Sequence, residues 1–299
     1  MMELQEYRKY MVREELHKSL NALVGLLGGI VSDGKVTEEE SEELRNWYAL
    51  HRGLINIHPY SEILPVLDEA FSDGRLDIDE ASDVLWVCRQ IMDSAASGLY
   101  FDFATSAIQQ LHGILHGIIT DGIIDDKELR ALNAWLNEHD YLSGTYPFDE
   151  VYSLLLAAKE DGVFSDDEKN MLRAFFANFV DAKESANIHE PDVKALQARY
   201  SVQGICAIAP EITFDKKVFC FTGTSRRATR NEIARQIEAR GGMYNDRVTN
   251  NTDYLVVGTA GNPCWAFACY GRKVEKAMQM RRDGGKVVIV NENDFWDEF

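Results

Sequence analysis

The sequence is poor in cysteine and has no long apolar run. Its five cysteines form no Cys-x-x-Cys pair, and the odd number argues for reduced thiols rather than a disulfide framework. No apolar stretch approaches the roughly 18 residues that span a bilayer. The N-terminus, MMELQEYRKYMVREELHK, is too charged for a signal peptide. We therefore expect a cytoplasmic protein without a membrane segment.

Basic residues are also scarce, and the deficit lies in one region. The chain has 31 Lys and Arg against 49 Asp and Glu, a net charge of -18. Residues 1–210 contain 17 basic and 37 acidic residues, a net charge of -20, whereas the rest contains 14 and 12. Such a negative region repels a polyanion, so it is predicted to bind a cation or a basic protein rather than nucleic acid. The C-terminal part does not carry a net negative charge and is not expected to repel a polyanion.

Motifs of catalysis are missing as well. The sequence has no P-loop, no nucleophile elbow, no HExxH and no recognisable set of ligase or nuclease carboxylates. We expect a binding protein and not an enzyme.

An internal duplication organises the acidic region. Residues 18–54 and 106–142 align without a gap at an offset of 88. Matching pairs include Gly25/Gly113, Gly29/Gly117, Asp33/Asp121, Glu40/Glu128, Trp47/Trp135 and His51/His139. A repeated unit usually stacks on its copy. We interpret the Trp and His pairs as core and helix-end residues.

A shorter phrase occurs twice in each repeat. Its four copies are SDGKVTEEE (32–40), SDGRLDIDE (72–80), TDGIIDDKE (120–128) and EDGVFSDDE (160–168). Asp-Gly ends one helix, and the Thr, Asp or Ser that lies three residues before the final Glu predicts a capping box that opens the next. Residues 1 to about 190 are therefore predicted to be all-α.

The phrase has the Gly and Glu spacing of an EF-hand, but apart from Glu69 the oxygen ligands are missing at loop positions 1 and 3, so a standard EF-hand is excluded. It resembles the TerB-like (tellurite-resistance) helical family, in two copies over residues ~10–190. The resemblance implies an acidic site for a divalent cation such as Ca²⁺, at Asp33, Glu40, Asp121 and Glu128. The alternative is that these residues only cap helices. His112 and His116 are interpreted as packing or exposed residues rather than zinc ligands.

Beyond a connector at 191–211 the pattern changes to alternating strands and helices. KKVFCFTG, TDYLVVG and KVVIV are compact apolar strands, MYND is a shorter one, and TRNEIARQIEARGG, GRKVEKAMQMRRDGG and NENDFWDEF are helical. Apolar strands that alternate with helices predict a small parallel sheet covered on both faces.

This order of elements resembles a BRCT domain, as found in bacterial NAD-dependent DNA ligases and the clamp-loader large subunit. The matching phrases are FTGT (221–224), RNEIARQIEARGG (230–242), TNNTDYLVVG (249–258), GRKVEKA (271–277) and VVIVNENDF (287–295). The resemblance implies a phosphate pocket at Thr222, Gly223 and Lys273, with Arg230 as the added base of members that bind 5′-phosphorylated DNA. Additional bases at Arg226, Arg227 and Arg272 favour a polyanion partner, or they only form a solvated face. The alternative is that Thr-Gly only shapes a turn.

One segment departs from the ligase-type pattern. TAGNPCWAFACYGR, between Gly258 and Lys273, is longer than the usual link. Its Trp265, Phe267 and Tyr270 either stack on a base or peptide, or fold back onto the domain.

The predicted organisation is a repeat at 1–100, a second at 101–190, a linker at 191–211 and a BRCT domain at 212–299. We expect a bacterial adaptor in DNA metabolism or defence, with the BRCT domain on a 5′-phosphorylated DNA end and the acidic domain on a protein or cation. The alternatives are a phosphoprotein-binding scaffold, and a metal-binding stress-response protein that uses its BRCT domain for assembly.

Overall fold

The computed structural model describes residues 13–94, 101–143, 145–158, 164–200, 206–207, 210–223, 225, 227–258 and 272–299. The chain forms two compact units, Met1–His139 with Asp166–Tyr200, and Asp140–Ser165 with Ser201–Phe299. The predicted fold class is confirmed, with a helical N-terminal region and an α/β C-terminal region. The units differ from the predicted domains, because residues 140–165 group with the C-terminal part and residues 191–200 of the predicted linker with the helical part.

The N-terminal region is a succession of helices that follows the duplication. Its longer helices are α1 (Arg13–Ile30), α2 (Glu38–His51), α3 (Tyr60–Ala70), α4 (Ile78–Ser94), α5 (Phe103–Ile119), α6 (Asp126–Glu138), α7 (Phe148–Ala158), α8 (Asp166–Phe176) and α9 (Glu190–Arg199). The starts of α2, α3 and α4 lie 88 residues before those of α6, α7 and α8, which is the offset of the sequence repeat. Within the described residues, no helix is long and apolar enough to cross a membrane.

Capping boxes open the helices that follow the first and third Asp-Gly phrases. Part of the fourth phrase lies outside the described residues. At α2 the Thr37 side chain accepts from the Glu40 backbone N–H, and the Glu40 carboxylate accepts from the Thr37 backbone N–H at 2.7 Å. Asp125 and Glu128 make the same reciprocal pair at α6. The preceding Gly34 and Gly122 have φ values of 87° and 79°, a region that suits glycine. The predicted capping role of these phrases is confirmed at both positions.

The two repeats pack through α1 and α5, which cross at small residues. A Cβ added to Gly25 would lie 2.0 Å from the Gln110 carbonyl oxygen, and one added to Gly113 would lie 2.2 Å from that of Ala22. Gly29 and Gly117 approach each other in the same way one turn further on. The glycines therefore let the two helix backbones touch, and the repeats share one closely packed contact.

The C-terminal unit contains a four-stranded parallel sheet in the order β2-β1-β3-β4. Its elements are β1 (Val218–Thr222), α10 (Arg230–Ala239), β2 (Met243–Tyr244), β3 (Tyr254–Val257), α11 (Arg272–Arg282), β4 (Val288–Asn291) and α12 (Glu292–Asp297). Two apolar clusters, one with Val274 and Met278 and one with Ile233 and Phe295, include alternate residues of the central strands. The strands are thus buried on both faces, as their uninterrupted apolar runs predict.

Helix α7, although part of the second sequence repeat, belongs to this C-terminal unit. Arg281 of α11 donates to both Glu150 carboxylate oxygens, and its Nη2 lies 3.2 Å from Asp149 Oδ2. Its Nη1 donates to the Val287 carbonyl at 2.8 Å. All three charged side chains are at most 6% exposed. A buried ionic cluster therefore holds α7 against α11, because each charge is compensated only in this arrangement.

Candidate phosphate-binding site

The candidate site begins where β1 ends. Thr222 is the last residue of β1 and pairs with Val257 of the neighbouring strand. Gly223 follows with φ 76°, and an added Cβ would lie 3.2 Å from the Gly258 carbonyl oxygen. A side chain here would be strained and crowded, so glycine keeps the backbone open beside the Thr222 hydroxyl.

Two cationic side chains from different helices reach this turn. Lys273, in the first turn of α11, donates from Nζ to the Phe221 carbonyl at 2.9 Å. Arg230, the first residue of α10, donates from Nη2 to the Gly223 carbonyl at 3.2 Å. The structure thus brings Lys273 and Arg230 to the carbonyls that flank Thr222.

The additional bases are less informative. Arg272 begins α11, but its side chain lies outside the described residues. Arg226 also lies outside the described residues, and Arg227 is exposed in the loop after β1. Trp265, Phe267 and Tyr270 fall within 259–271, also outside the described residues, so the prediction that they bind or fold back stays open.

The positive field of Lys273 and Arg230 is visible in neighbouring groups. Burial raises the pKa of the Cys220 thiol, while Lys273 and Arg230 act to lower it. Burial also raises the pKa of Tyr244 to about 12, with Asp246 acting in the same direction and Arg230 against it. Lys273 and Arg230 both oppose burial at Cys220, and Arg230 opposes it at Tyr244, so these cations stabilise negative charge on this side of the sheet.

A contact that the sequence reasoning missed orders the loop between β1 and α10. The Ser225 hydroxyl bonds to the buried Glu292 carboxylate and accepts from the backbone N–H groups of Arg227 and Ala228. Glu292 also accepts from Trp296 Nε1 at 3.1 Å. Ser225 and Glu292 are 67 residues apart, so no local pattern could reveal the pair. The hydrogen bond between Ser225 and Glu292 therefore fixes the backbone that leads to Arg230.

The comparison with known families decides the assignment of this unit. The model of the BRCA1 C Terminus (BRCT) domain matches residues 209–292. Residues 209–292 form a BRCT domain. A DNA ligase of Fervidobacterium nodosum is 32% identical over 139 residues, which are 45% of this chain and 16% of that protein. A DNA ligase of Petrotoga mobilis is 34% identical over 82 residues, which are 27% of this chain and 10% of that protein.

The chain therefore matches only a small part of the length of these two ligases. No solved structure shows a significant match to it. The BRCT domain of this protein thus has ligase-like sequence, whereas the resemblance of residues ~10–190 to the TerB-like family stays a prediction.

The four carboxylates predicted to bind a cation lie near one another in the helical unit. The charges of Asp33 and Asp121 help to raise the pKa of Glu40, and those of Glu40 and Asp121 help to raise the pKa of Glu128. Carboxylates of both repeats therefore lie close enough to interact. Each carboxylate also bonds to nearby backbone: Asp33 accepts from the Lys35 N–H at 3.0 Å and Asp121 from the Ile123 N–H at 2.8 Å. Within the described residues, no group of three or more His, Cys, Asp or Glu is placed to hold a metal ion. The cation hypothesis stays a prediction.

These carboxyls predict how stability depends on pH. Burial raises the pKa of Glu40 from 4.5 to about 7 and that of Glu128 from 4.5 to about 8. Between pH 4.5 and these raised values, the folded chain binds more protons than the unfolded chain. The unfolding free energy therefore falls as pH rises over this range, until both carboxyls have ionised above pH 7 and 8. Glu40→Gln combined with Glu128→Gln keeps both caps but removes this dependence. Urea unfolding from about pH 5 to about pH 9 measures the slope.

The control is Glu80→Gln. Glu80 accepts from the Asp77 N–H at 2.9 Å in an equivalent cap, but it is half-buried rather than buried. This variant should keep the full dependence on pH. Equal slopes for the double variant and the unsubstituted protein would contradict the assignment.

The repeated aromatic pairs have the same geometry in both repeats. The rings of Trp47 and His51 stack at 4.0 Å, and those of Trp135 and His139 at 3.8 Å. In both pairs the His Nδ1 bonds to the Trp backbone carbonyl one turn earlier. In each repeat the pair therefore lies at the end of its helix, where His51 is buried and Trp47, Trp135 and His139 are half-buried.

Proposed function

We propose that the protein is a non-enzymatic adaptor of DNA metabolism or defence, whose BRCT domain binds the 5′-phosphate of a DNA end. The observation that carries this proposal is the convergence of Lys273 and Arg230 on the carbonyls of Phe221 and Gly223. A phosphate bound between these cations and the Thr222 hydroxyl would accept hydrogen bonds from Lys273 and Arg230 in place of the two backbone carbonyls. Because the phosphate is charged, each of these hydrogen bonds would be stronger.

Charge and relatives support a DNA partner. Residues from 211 onward have a net charge of +2, so the domain does not repel a polyanion as residues 1–210 do. The relatives compared above are both DNA ligases by name. Within this proposal, the acidic helical unit recruits a basic protein or binds a cation, since its charge excludes it from the DNA itself.

Substitution of the two cations tests the pocket. Arg230→Ala and Lys273→Ala are each expected to weaken binding of a 5′-phosphorylated duplex by about 10- to 100-fold, the loss of one charge-assisted hydrogen bond. Fluorescence anisotropy of the full chain measures the dissociation constants. Arg235→Ala is the matched control, because it removes the same charge from an exposed position of the same helix, α10. A loss as large in Arg235→Ala would show that net charge, and not the pocket, carries binding.

The runner-up function is a phosphoprotein-binding scaffold that uses the same pocket. Salt separates the two, because each contact to a DNA phosphate adds about one to the slope of log affinity against log salt. We expect binding to DNA that weakens steeply with salt, and a slope that is shallower by about one in Arg230→Ala. A phosphopeptide that binds more tightly than the DNA end would favour the scaffold. A metal-binding stress-response role instead requires saturable heat on titration with Ca²⁺.

A further inference from the structure

The helical unit contains a cavity of about 450 Å³ that the phosphate-binding proposal does not use. It lies between α1, α2, α5 and the segment around residues 179–184. The side chains that characterise it are Ser19, Glu43, Trp47, His112, His116 and Phe179. A volume of this size exceeds that of a metal ion and suits an organic group.

The duplication provides an internal comparison for this cavity. At the offset of 88, Ser19, Glu43, His112 and His116 correspond to Ala107, Ala131, Val24 and Gly28. The same helix positions are thus filled by apolar residues or glycine on the other side of the α1–α5 contact. Since buried polar groups cost free energy and the repeat packs without them, helix packing alone does not account for this polar set.

Glu43 provides a fixed negative charge at the cavity wall. Its side chain is 2% exposed, and Oε1 lies 3.1 Å from His116 Nε2. Oε2 accepts from the Ser185 hydroxyl and from the backbone N–H groups of Ala186 and Asn187. Burial works against ionisation, but the nearby His116 and the hydrogen bonds from the 185–187 segment outweigh it and lower the pKa of Glu43. The carboxylate is therefore charged at neutral pH.

His112 adds an unsatisfied polar group. Burial, aided by Lys18, lowers the pKa of His112 to about 4, so the imidazole is neutral. Its ring stacks on Phe179 at 5.0 Å, and its Nε2 has no hydrogen-bond partner among the described residues. A buried nitrogen without a partner costs free energy, which a ligand donor at this position would recover.

The mouth of the cavity is acidic and its walls are aromatic. Glu15, Asp181 and Glu184 line it together with one basic residue, Lys18. This excess of negative charge attracts a cation. Trp47 and Phe179 give ring surfaces that favour a flat, weakly hydrated cation such as guanidinium over a strongly hydrated ammonium group.

We propose that this cavity binds a guanidinium group, carried either by a small molecule or by an arginine side chain of a partner protein. The guanidinium ion would pair with the Glu43 carboxylate and pack against the rings of Trp47 and Phe179. This function goes beyond the BRCT domain, which needs neither the cavity nor its residues for phosphate binding.

Calorimetric titration of the full chain with arginine and with citrulline tests the proposal. Citrulline has nearly the same shape, but its urea group carries no charge. We expect saturable heat with arginine and none with citrulline. Glu43→Gln and His112→Val, the second of which introduces the residue of the counterpart position, should each weaken arginine binding by about tenfold or more. Glu62→Gln is the control, because it removes the same charge from an exposed position outside the cavity.

The outcomes are distinct. Three results would overturn the proposal. They are equal heats for arginine and citrulline, no heat with either free arginine or an arginine-containing peptide, and undiminished arginine binding in a His112→Val protein of native helicity. An arginine-containing peptide that binds far more tightly than free arginine would support it and assign the guanidinium to a protein partner. Binding of phosphorylated DNA by the same variants should be unchanged, so failure here leaves the BRCT proposal standing.

Discussion

Gly25→Ala is expected to lower the unfolding free energy of the helical unit by about 3 kcal/mol, the upper range for overpacking of a close contact. The new Cβ would lie 2.0 Å from the Gln110 carbonyl oxygen and 2.9 Å from the Gly113 Cα, and both neighbours are backbone atoms. Backbone cannot rotate away as a side chain does, so α1 and α5 would have to separate. Urea unfolding followed by far-UV circular dichroism measures the loss.

Gly28→Ala is the matched control for this prediction. Gly28 lies in the same helix, but its added Cβ would meet only an Ile114 side-chain carbon at 3.8 Å. Since Ala favours a helix over Gly by about 1 kcal/mol, this variant should be neutral or slightly stabilised. A stabilised Gly25→Ala protein would mean that the two repeats do not touch at these glycines.

Arg281→Met is expected to destabilise the C-terminal unit by about 3–5 kcal/mol. The substitution leaves the Asp149 and Glu150 carboxylates buried, at 6% and 1% exposure, without the cation that compensates them. It also leaves the Val287 carbonyl without the Arg281 donor. Hydrogen exchange in β4 and α11 reports on this unit separately from the helical unit, and it should become faster in the variant.

A combination of substitutions separates the lost charge pair from a general packing defect. Asp149→Asn and Glu150→Gln, added to Arg281→Met, remove the two uncompensated charges and should restore a large part of the protection. Arg235→Met, at an exposed site, should have little effect. If the triple variant were no more stable than Arg281→Met, uncompensated burial of charge would not be the cause.

The features that the sequence predicted well depend on local patterns. Capping boxes at Thr37 and Asp125, the strands of the BRCT domain and the Thr222-Gly223 turn all follow from residue types at short spacing. That Lys273 reaches this turn could be expected only from the family resemblance, because Lys273 lies 52 residues from Phe221, to which it bonds.

The features that the sequence did not reveal join distant parts of the chain. Asp149 and Glu150 read as ordinary acidic residues in the first turn of a helix, a position that such residues favour anyway. Their counterparts Ser61 and Glu62 lie in the first turn of α3, where Glu62 is exposed and pairs with His58. Only the packed structure shows that Arg281, 131 residues beyond Glu150, places α7 in the C-terminal unit.

Glu43 illustrates the same limit. In the sequence it belongs to the charged run EEESEE at the start of α2, where nothing distinguishes it from its neighbours. In the structure it is 2% exposed, less than any other described carboxylate of the helical unit, and it contacts both His116 and the 185–187 segment. Such a role depends on contacts more than 70 residues away, which short-range periodicity does not encode.

The most direct test of the proposed function compares two duplexes that differ only in a 5′-phosphate. Anisotropy titration of the unsubstituted full chain with both duplexes, at one salt concentration, gives the ratio of their dissociation constants. If Lys273 and Arg230 bind the terminal phosphate, the phosphorylated end should bind about tenfold or more tightly, and the preference should vanish in Arg230→Ala and Lys273→Ala. Equal affinities for the two duplexes would contradict the assignment of this pocket to a DNA end.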